Sequence, residues 1–252
     1  MTGDVRVRVD DGVATLEVTD PATRNAMDLA MSRRLVEAVA TVTADAAVGA
    51  VVVTGEAPAF CAGADLDQLR QADEAALREV YAGFLAVAAC PLPTLAAVNG
   101  PAVGAGLNLA LACDVRLAGP TARFDSRFLQ IGLHPGGGYT WMADRAMGPQ
   151  ATAAVTLFGD ALDAADAERA GLVWRRYDTD AELHTATVEL ARRAASAPRD
   201  VVLATKATMR LTAGAVSHAD AVAVEVRAQA LTARSDQFRT RLDALQARIR
   251  RA

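Results

Sequence analysis

Alternating apolar and polar positions begin the chain. Between residues 5 and 9, valines alternate with charged residues, and a second alternating run follows at 13–18. The sequence Asp10-Asp11-Gly12 stands between the two runs. Asp-Gly is a favoured pair for the two-residue turn that joins antiparallel strands. The pattern therefore predicts a β-hairpin.

After the hairpin, short continuous apolar runs alternate with segments whose apolar residues recur at helical spacing. Continuous runs bounded by glycine or proline favour buried strands, and the 3.6-residue period favours helices. The predicted segments are a helix at 28–43, a strand at 50–54, a helix at 73–87, a strand at 94–98, a helix at 107–112 and a strand at 115–118. Strand, glycine-rich turn and helix occur in this order twice, which predicts an α/β fold.

The C-terminal part of the chain has a different pattern, because nearly every segment from residue 180 onward is alanine-rich and helical. The predicted helices are 181–197, 198–212, 218–233 and 236–251. Their amphipathic faces are free to cover a neighbour or to pack in an oligomer. We therefore expect an α/β core at 1–195 and a helical region for oligomerisation at 196–252.

The composition and charge argue against several classes of protein and partner. The 252 residues include 26 basic and 30 acidic ones, for a net charge of −4, and 52% are hydrophobic. Without a basic face, nucleic acid is not expected as a partner. The longest apolar stretch is interrupted by glycines and asparagines, whereas a membrane span needs about 20 predominantly apolar residues. The N-terminus is polar and does not resemble a signal peptide, so we expect a globular cytoplasmic protein.

The three cysteines are Cys61, Cys90 and Cys113, and each lies among apolar residues. Their spacing is that of neither a metal site nor a CxxC redox pair. We expect buried, reduced thiols, consistent with the cytoplasm, and no bound metal.

Two glycine-rich turns are the main candidates for chemistry. One lies in segment 97–110, where Gly104-Ala105-Gly106 begins an apolar helix, and the other lies at 59–66 after the predicted strand 50–54. Small residues let a ligand approach the backbone, and such turns leave N–H groups unpaired. Two turns that converge on one oxygen would form an oxyanion hole for a developing negative charge. Alternatively, each turn only starts a packed helix.

Further segments carry a family resemblance over nearly the whole chain. They are 21–27, 59–66, 97–116 and 131–141, followed by 157–160, 164–173 and 235–238. In this order and spacing the chain resembles the crotonase superfamily, also called the enoyl-CoA hydratase/isomerase family. The resemblance implies a spiral of ββα units with a C-terminal helical region, assembled as a homotrimer or homohexamer. It also implies an acyl-CoA thioester as ligand and no cofactor, since coenzyme A is part of the substrate.

The resemblance assigns roles to residues of both glycine-rich turns and to Arg24. It implies that the thioester carbonyl is bound by the backbone N–H groups of Ala62 and Ala105. It places the adenine near Ala62 and three residues that follow it in the same turn, Ala64, Asp65 and Leu66. Arg24 matches a position where members often have a basic residue near the coenzyme A phosphates. The alternative for Arg24 is a solvated surface arginine.

The carboxylates that the resemblance implies for catalysis are missing. Hydratases of the family use two glutamates, and these positions are Asn108 and Phe128 here; a third position, acidic in isomerases, is Gly136. An amide can hold a water molecule but cannot take its proton. Loss of a general acid or base costs about 10²- to 10⁴-fold in rate, so ordinary hydratase activity is doubtful.

Other residues could replace the missing groups. Histidine is a common general acid and base, and Asp125 precedes Phe128 by three residues, so His134 or Asp125 could transfer a proton. The alternatives are a histidine fixed in packing before a proline, and an aspartate that caps a helix or stays on the surface. Tyr139 and Trp141 either line the acyl pocket or staple the next helix.

We therefore expect an acyl-CoA-binding protein that stabilises a thioester enolate in an oxyanion hole. Proton transfer would involve His134, Asp125 or a water molecule held by Asn108. An isomerisation, which needs one proton-transfer group, is easier to accommodate than hydration. The rival hypothesis is a non-catalytic acyl-CoA carrier or sensor. A third is a structural subunit that assembles with an active paralogue.

Overall fold

The chain folds into two β-sheets and a set of covering helices. A computed structural model describes residues 3–71, 73–215 and 217–250. The strands are β1 (Asp4–Asp10), β2 (Val13–Thr19), β3 (Ala50–Gly55), β4 (Thr94–Val98), β5 (Pro101–Val103), β6 (Val115–Ala118), β7 (Arg123–Asp125), β8 (Leu162–Asp163) and β9 (Arg175–Arg176). The helices are α1 (Leu29–Ala44), α2 (Leu66–Arg70), α3 (Glu74–Ala89), α4 (Ala105–Leu111), α5 (Tyr139–Leu157), α6 (Ala164–Arg169), α7 (Asp180–Ala195), α8 (Arg199–Thr212), α9 (His218–Thr232) and α10 (Asp236–Ile249).

The larger sheet has the strand order β1-β2-β3-β4-β6-β9. β1 and β2 form the predicted antiparallel hairpin, and Asp11 and Gly12 adopt the left-handed backbone that its turn requires (φ 47° and 75°). The remaining strands pair in parallel, as expected for strands joined through helices. The predicted strands 50–54, 94–98 and 115–118 are confirmed.

The smaller sheet was missed by the sequence analysis. Its order is β5-β7-β8, with β5 parallel and β8 antiparallel to β7. These strands have three residues or fewer, too few for a pattern of alternation to show. The order strand, strand, helix recurs as β1-β2-α1, β4-β5-α4 and β6-β7-α5, and the α/β fold with C-terminal helices is confirmed.

Side-chain caps set the starts of α1 and α3, which pack against one face of the larger sheet. Asp28 accepts a hydrogen bond from the Met31 N–H at the start of α1, and Asp73 does the same for Ala76 at α3. The two helices touch at Ser32, whose hydroxyl donates to the Val80 carbonyl. No Cβ would fit at Gly83, because it would lie 2.9 Å from the Ser32 Cα. α3 is therefore held closely against α1.

The central strands of the larger sheet are buried on both faces. One face packs with α1, α3, α4 and α5 around a core that includes Leu16, Val53 and Phe84. The opposite face is covered by α7, whose Leu183 and Ala191 belong to one apolar cluster with Val52 of β3 and Leu95 of β4. This burial explains why the central strands are almost continuously apolar.

Three cationic side chains attach α8 to the core. Lys206, the one lysine of the sequence, donates to the Asp114 carboxylate at 2.5 Å and to the Leu92 carbonyl at 2.7 Å. Arg210 donates to the Ala88 carbonyl at the end of α3. Arg199 donates to the Thr43 carbonyl in the last turn of α1. Cations are favoured at these helix ends because the carbonyl groups there are unpaired.

Neither of the last two helices, α9 and α10, has a buried residue, a feature that they share with the short helix α2. The predicted helices of this region are confirmed within a few residues at their ends, and residue 251, where the last was predicted to end, lies outside the described residues. None of the helices within the described ranges has the length and apolar character that crossing a membrane requires.

Candidate functional site

A cavity of about 520 Å³ lies at the carboxyl ends of β5 and β7, and both glycine-rich turns line it. Seven of the predicted site residues line this cavity: Ala62, Ala64, Asp65, Leu66, Ala105, Asn108 and Phe128. The other six, Arg24, Asp125, His134, Gly136, Tyr139 and Trp141, are not among its lining residues. Both turns therefore line one cavity, as an oxyanion hole built from them would require.

Backbone pairing brings the two turns together. Cys61 pairs with Ala102 in a parallel bridge, and the Val103 N–H donates to the Cys61 carbonyl at 3.0 Å. Gly106 lies against the same carbonyl, so closely that a Cβ on residue 106 would lie 2.8 Å from the Cys61 carbonyl carbon. A residue with a side chain would push the turns apart. Burial raises the pKa of the Cys61 thiol to about 11, so this thiol is protonated at neutral pH.

In the turn at 59–66, the structure contradicts the role predicted for one residue. The Ala62 N–H donates to the Arg24 carbonyl at 3.1 Å and is not free to bind a ligand. The neighbouring Met27 pairs with Ala64 through the Gly63 carbonyl and the Asp65 N–H. Because alternate N–H groups of an extended segment point to opposite sides, the Ala64 N–H points away from Met27. It donates to no other group in the described parts of the chain, so Ala64 replaces Ala62 as the candidate donor.

In the turn at 97–110, Ala105 is the first residue of α4, two residues earlier than the predicted helix start. Its N–H is one of those that a helix leaves without an internal partner. Gly104 reverses the chain with a positive φ of 51°, and its own N–H donates to the Asp125 carbonyl at 2.9 Å. Ala105 itself is helical, so its methyl group causes no backbone strain.

The loop before Met27 forms the rim of the cavity. Thr23 and Ala26 line the cavity, and Arg24 between them is exposed. Arg24 and Asn25 both have left-handed backbone (φ 56° and 61°). Asn25 is buried and braces the loop, since its amide donates to the Ala59 carbonyl at 2.9 Å. Arg24 thus projects from a fixed loop beside the cavity.

At the position of the first missing glutamate, the Asn108 side chain is 1% exposed. Its Nδ2 donates to the Gly136 carbonyl at 3.0 Å, while its buried Oδ1 has no partner in the described part of the chain. Phe128, at the second position, packs against the buried ring of Tyr139 with ring centroids 5.3 Å apart. Tyr139 donates or accepts a hydrogen bond with Thr156 and lies behind Phe128, outside the cavity.

Asp125 is buried, but its carboxylate is already engaged. Its Oδ2 accepts from Arg127 Nε at 2.9 Å and Nη2 at 2.5 Å, and its Oδ1 accepts from the Arg127 N–H at 2.9 Å. Arg127 lines the cavity and has a left-handed φ of 57°. The pairing holds Arg127 at the cavity wall and leaves no oxygen of Asp125 free of this arginine. Proton transfer by Asp125, as considered from the sequence, does not fit this geometry.

The other predicted groups point elsewhere. His134 is exposed, and its Nδ1 lies 2.7 Å from the Pro135 carbonyl oxygen. Trp141 is 60% exposed, stacks with Arg145 at 3.9 Å and lines a separate cavity of about 650 Å³ beside α8. Proton transfer by His134 and acyl binding by Trp141 therefore do not fit this single chain.

Arg127 and Tyr81 are among the cavity residues that the sequence analysis missed. Arg127 and Tyr81 line the cavity, but neither belongs to a motif, and Tyr81 looks like one more aromatic residue of an amphipathic helix. Only the packing of α3 against the loop at 136–138 brings Tyr81 to the site. In the parts of the chain that the structure describes, no group of three or more His, Cys, Asp or Glu side chains is arranged to hold a metal ion.

The chain is similar to known proteins over nearly its whole length. A family model described as enoyl-CoA hydratase/isomerase matches residues 8–248. A Mycobacterium tuberculosis protein named "Probable enoyl-CoA hydratase EchA14" is 51% identical over 97% of this chain and 98% of its own length. The 2,3-dehydroadipyl-CoA hydratase of Escherichia coli is 36% identical over 74% of each chain. A solved enoyl-CoA hydratase from Bacillus anthracis superposes with a TM-score of 0.89 at 25% identity, covering 98% of this chain and 96% of that one.

Proposed function

We propose that this chain, which belongs to the enoyl-CoA hydratase/isomerase family, binds an acyl-CoA thioester and stabilises its enolate between the N–H groups of Ala64 and Ala105. One observation carries the proposal. Two N–H groups from separate turns line one cavity, and neither donates elsewhere in the described residues. Coenzyme A is part of this substrate, and no further cofactor is proposed.

The two donors act on the oxygen of the thioester carbonyl. When an enolate forms, negative charge develops on this oxygen, and donors already aimed at it stabilise the charge without reorganisation. The cavity around them is largely apolar, with Phe128 and Leu133 in its wall. A lower local dielectric strengthens the interaction between the N–H dipoles and the oxyanion. Enolate chemistry is therefore the reaction class that this site supports best.

In this proposal the site lacks the carboxylates of an ordinary hydratase. The carboxylates among the cavity residues are Asp65, which caps α2, and Asp67 in the exposed first turn of that helix. Neither occupies the positions of the family's two glutamates, which are Asn108 and Phe128. We expect hydration to be slower than in relatives that have both, by at least the 10²- to 10⁴-fold that one acid or base supplies.

The coenzyme A end of the ligand would lie against the first turn. We propose that the adenine contacts the segment 62–66 and that Arg24 pairs with the phosphates. Supporting this, Asp65 and Leu66 line the cavity and Arg24 is exposed at its rim. An exposed arginine on a braced loop is well suited to phosphate, because its guanidinium offers several N–H donors.

Removing one N–H donor tests the proposed enolate site. Proline is tolerated at the first position of a helix and has no N–H, so Ala105→Pro deletes one donor while the helix start is retained. Turnover of crotonyl-CoA, followed by the loss of enoyl-thioester absorbance, should fall about 10²- to 10³-fold. The matched variant Ala105→Gly keeps the N–H and should retain most of the activity. Equal turnover by Ala105→Pro and the unaltered protein would refute the oxyanion hole.

A non-catalytic acyl-CoA carrier or sensor is the second candidate. Asn108 favours it, because an amide replaces a catalytic carboxylate and its Nδ2 is engaged with Gly136. This function predicts that calorimetry detects binding of butyryl-CoA, while no enoyl, dienoyl or 3-hydroxyacyl thioester is converted. Measurable turnover of any of these would exclude it.

We also propose that residues 196–252 serve oligomerisation, as a homotrimer or homohexamer, and that the protein works in the cytoplasm. Exposed apolar side chains on α9 and α10 support the first part. The three free, buried cysteines support the second, since cytosolic thiols are kept reduced.

A further inference from the structure

Tyr81 is a cavity residue with a hydroxyl proton that the proposed function does not use. It projects from α3 into the wall that also contains Ala105 and Asn108. Its ring packs against Phe84, with centroids 5.5 Å apart at 42°. Within the described ranges, its hydroxyl forms no hydrogen bond with another group. A phenol held in place by its ring but unpaired at its hydroxyl is available to a ligand.

The hydroxyl of Tyr81 occupies the space that a side chain at residue 136 would need. A Cβ on Gly136 would overlap the hydroxyl oxygen and would lie 2.9 Å from Tyr81 Cζ. Gly136 does not have a positive φ, so its backbone would accept alanine, but the new methyl group would displace the hydroxyl and press on the end of the Tyr81 ring. The Gly136 carbonyl also accepts from Asn108 Nδ2. Tyr81 and Asn108 thus both contact Gly136.

The position of Tyr81 is rigid, because α3 is fastened to α1 on both sides of it. The Ser32 hydroxyl donates to the carbonyls of Glu79 at 2.8 Å and Val80 at 3.0 Å, and it accepts from the Gly83 N–H at 2.9 Å. These contacts surround residue 81 in the helix. A fixed donor is what catalysis requires, since a displacement of about 1 Å can cost 10²-fold in rate.

The remaining titratable groups of the cavity are either bonded to other protein groups or exposed. Asp65 accepts from the Gln68 N–H as the cap of α2, Asp67 is exposed, and Arg127 is paired with Asp125. Burial raises the pKa of Tyr81 above its usual value of 10. At neutral pH the phenol is therefore protonated, which makes it a donor and not a base.

We propose that Tyr81 is a catalytic residue of this site, the donor that protonates C2 of the thioester enolate. The assignment rests on the proposed enolate function and names the group that replaces the missing carboxylates. Asn108 acts beside it as a positioning residue, holding the Gly136 loop against which the hydroxyl rests.

The step balances with water as the only co-reactant. Water adds to C3 of an enoyl thioester, and the electrons of the double bond move toward the carbonyl oxygen held by Ala64 and Ala105. The enolate then takes the phenol proton: the O–H bond of Tyr81 breaks, a C–H bond forms at C2 and the carbonyl is restored. The added water passes its extra proton to the phenolate, which regenerates Tyr81 and leaves a 3-hydroxyacyl thioester.

The variant Tyr81→Phe removes the hydroxyl alone and keeps the ring that packs against Phe84. With crotonyl-CoA, kcat should fall about 10²-fold or more, while KM and the affinity for butyryl-CoA change less than about threefold. Tyr177→Phe is the matched control, because Tyr177 packs on the α7 face of the sheet, away from this cavity. Its turnover should equal that of the unaltered protein.

The pH profile separates a donor from a structural tyrosine. In the unaltered protein, kcat should be constant through neutral pH and fall above about pH 10, as the phenol with its raised pKa loses its proton. The residual rate of Tyr81→Phe should lack that decline. Gly136→Ala provides an independent test, because its methyl group displaces the hydroxyl. It should lower kcat in the unaltered protein and have little further effect in Tyr81→Phe.

The outcomes distinguish a failure of the Tyr81 assignment from a failure of the proposed enolate function. If the unaltered protein converts crotonyl-CoA and Tyr81→Phe converts it equally fast, the assignment of Tyr81 is wrong and the enolate function stands. If the unaltered protein binds butyryl-CoA but converts no thioester, the carrier function is favoured and the assignment fails with the enzyme. A melting temperature of Tyr81→Phe close to that of the unaltered protein verifies that folding is not the cause of a lower rate.

Discussion

Gly106 is the residue at which the two proposed donor turns touch. Its backbone contacts the Cys61 carbonyl, one residue before Ala62, and it follows Ala105 directly. Glycine lowers helix stability relative to alanine by about 1 kcal/mol, so helix propensity alone would favour alanine here. The close approach explains why α4 nevertheless has a glycine in its first turn.

Gly106→Ala should therefore destabilise the protein, in spite of the better helix former. The methyl group must displace the Cys61 backbone, which we expect to lower the free energy of unfolding by about 1–3 kcal/mol and to weaken butyryl-CoA binding. Urea denaturation and calorimetry measure the two effects. In Gly214→Ala, the control, the new methyl meets only the Leu211 carbonyl oxygen at 3.9 Å. A gain in stability for Gly106→Ala would contradict the close contact.

At the scale of an element, α8 is attached to the core through polar contacts. Its one buried residue is Lys206, whose ammonium group joins the Asp114 carboxylate and the Leu92 carbonyl. Asp114 also accepts from the Thr94 N–H and hydroxyl at the start of β4. One carboxylate therefore links α8 to the central sheet. A buried cation of this kind is costly unless every partner is in place.

Lys206→Met tests this attachment, because methionine has a similar length and no charge. The free energy of unfolding should fall by about 1–3 kcal/mol, since the Leu92 carbonyl and Asp114 lose their donor. Arg227→Met on the exposed surface of α9 is the control and should be nearly neutral. Chemical denaturation measures both. Equal stability of the two variants would mean that packing of α8, and not the ion pair, holds the helix.

At the scale of the whole molecule, α10 presents an apolar stripe to solvent. Phe238, Leu242, Leu245 and Ile249 are between 38% and 65% exposed and recur at helical spacing along one face. A row of exposed apolar side chains on a helix without buried residues is typical of an interface. This stripe supports the proposed oligomer.

Leu242→Glu should shift the oligomer toward smaller species by burying a charge in that interface. Sedimentation velocity would show a lower mean mass at equal concentration, and the melting temperature should fall. Ala247→Glu adds the same charge on the opposite face of α10, since 3.6 residues complete a turn, and should leave the mass unchanged. A monomeric unaltered protein at micromolar concentration would refute the proposed trimer or hexamer.

The local features of the fold were predictable from the sequence alone. The hairpin at residues 4–19 and the buried strands β3, β4 and β6 followed from alternation, turn residues and continuous apolar runs. These signals are local, because side-chain period and turn chemistry depend on neighbouring residues. The strands of the smaller sheet were missed, since two or three residues carry no period and only pairing with distant strands defines them.

For the site, the sequence predicted that two glycine-rich turns, at 59–66 and 97–110, would bring two N–H donors to one oxygen, and it lacked glutamates at the family's two catalytic positions. The tertiary structure decided which atoms are free there. It showed that the Ala62 N–H is taken by the Arg24 carbonyl, that the Asp125 carboxylate holds Arg127, and that Tyr81 fills the space beside Gly136. Hydrogen bonds and close contacts join residues far apart in the chain, so their partners are set by packing and not by spacing.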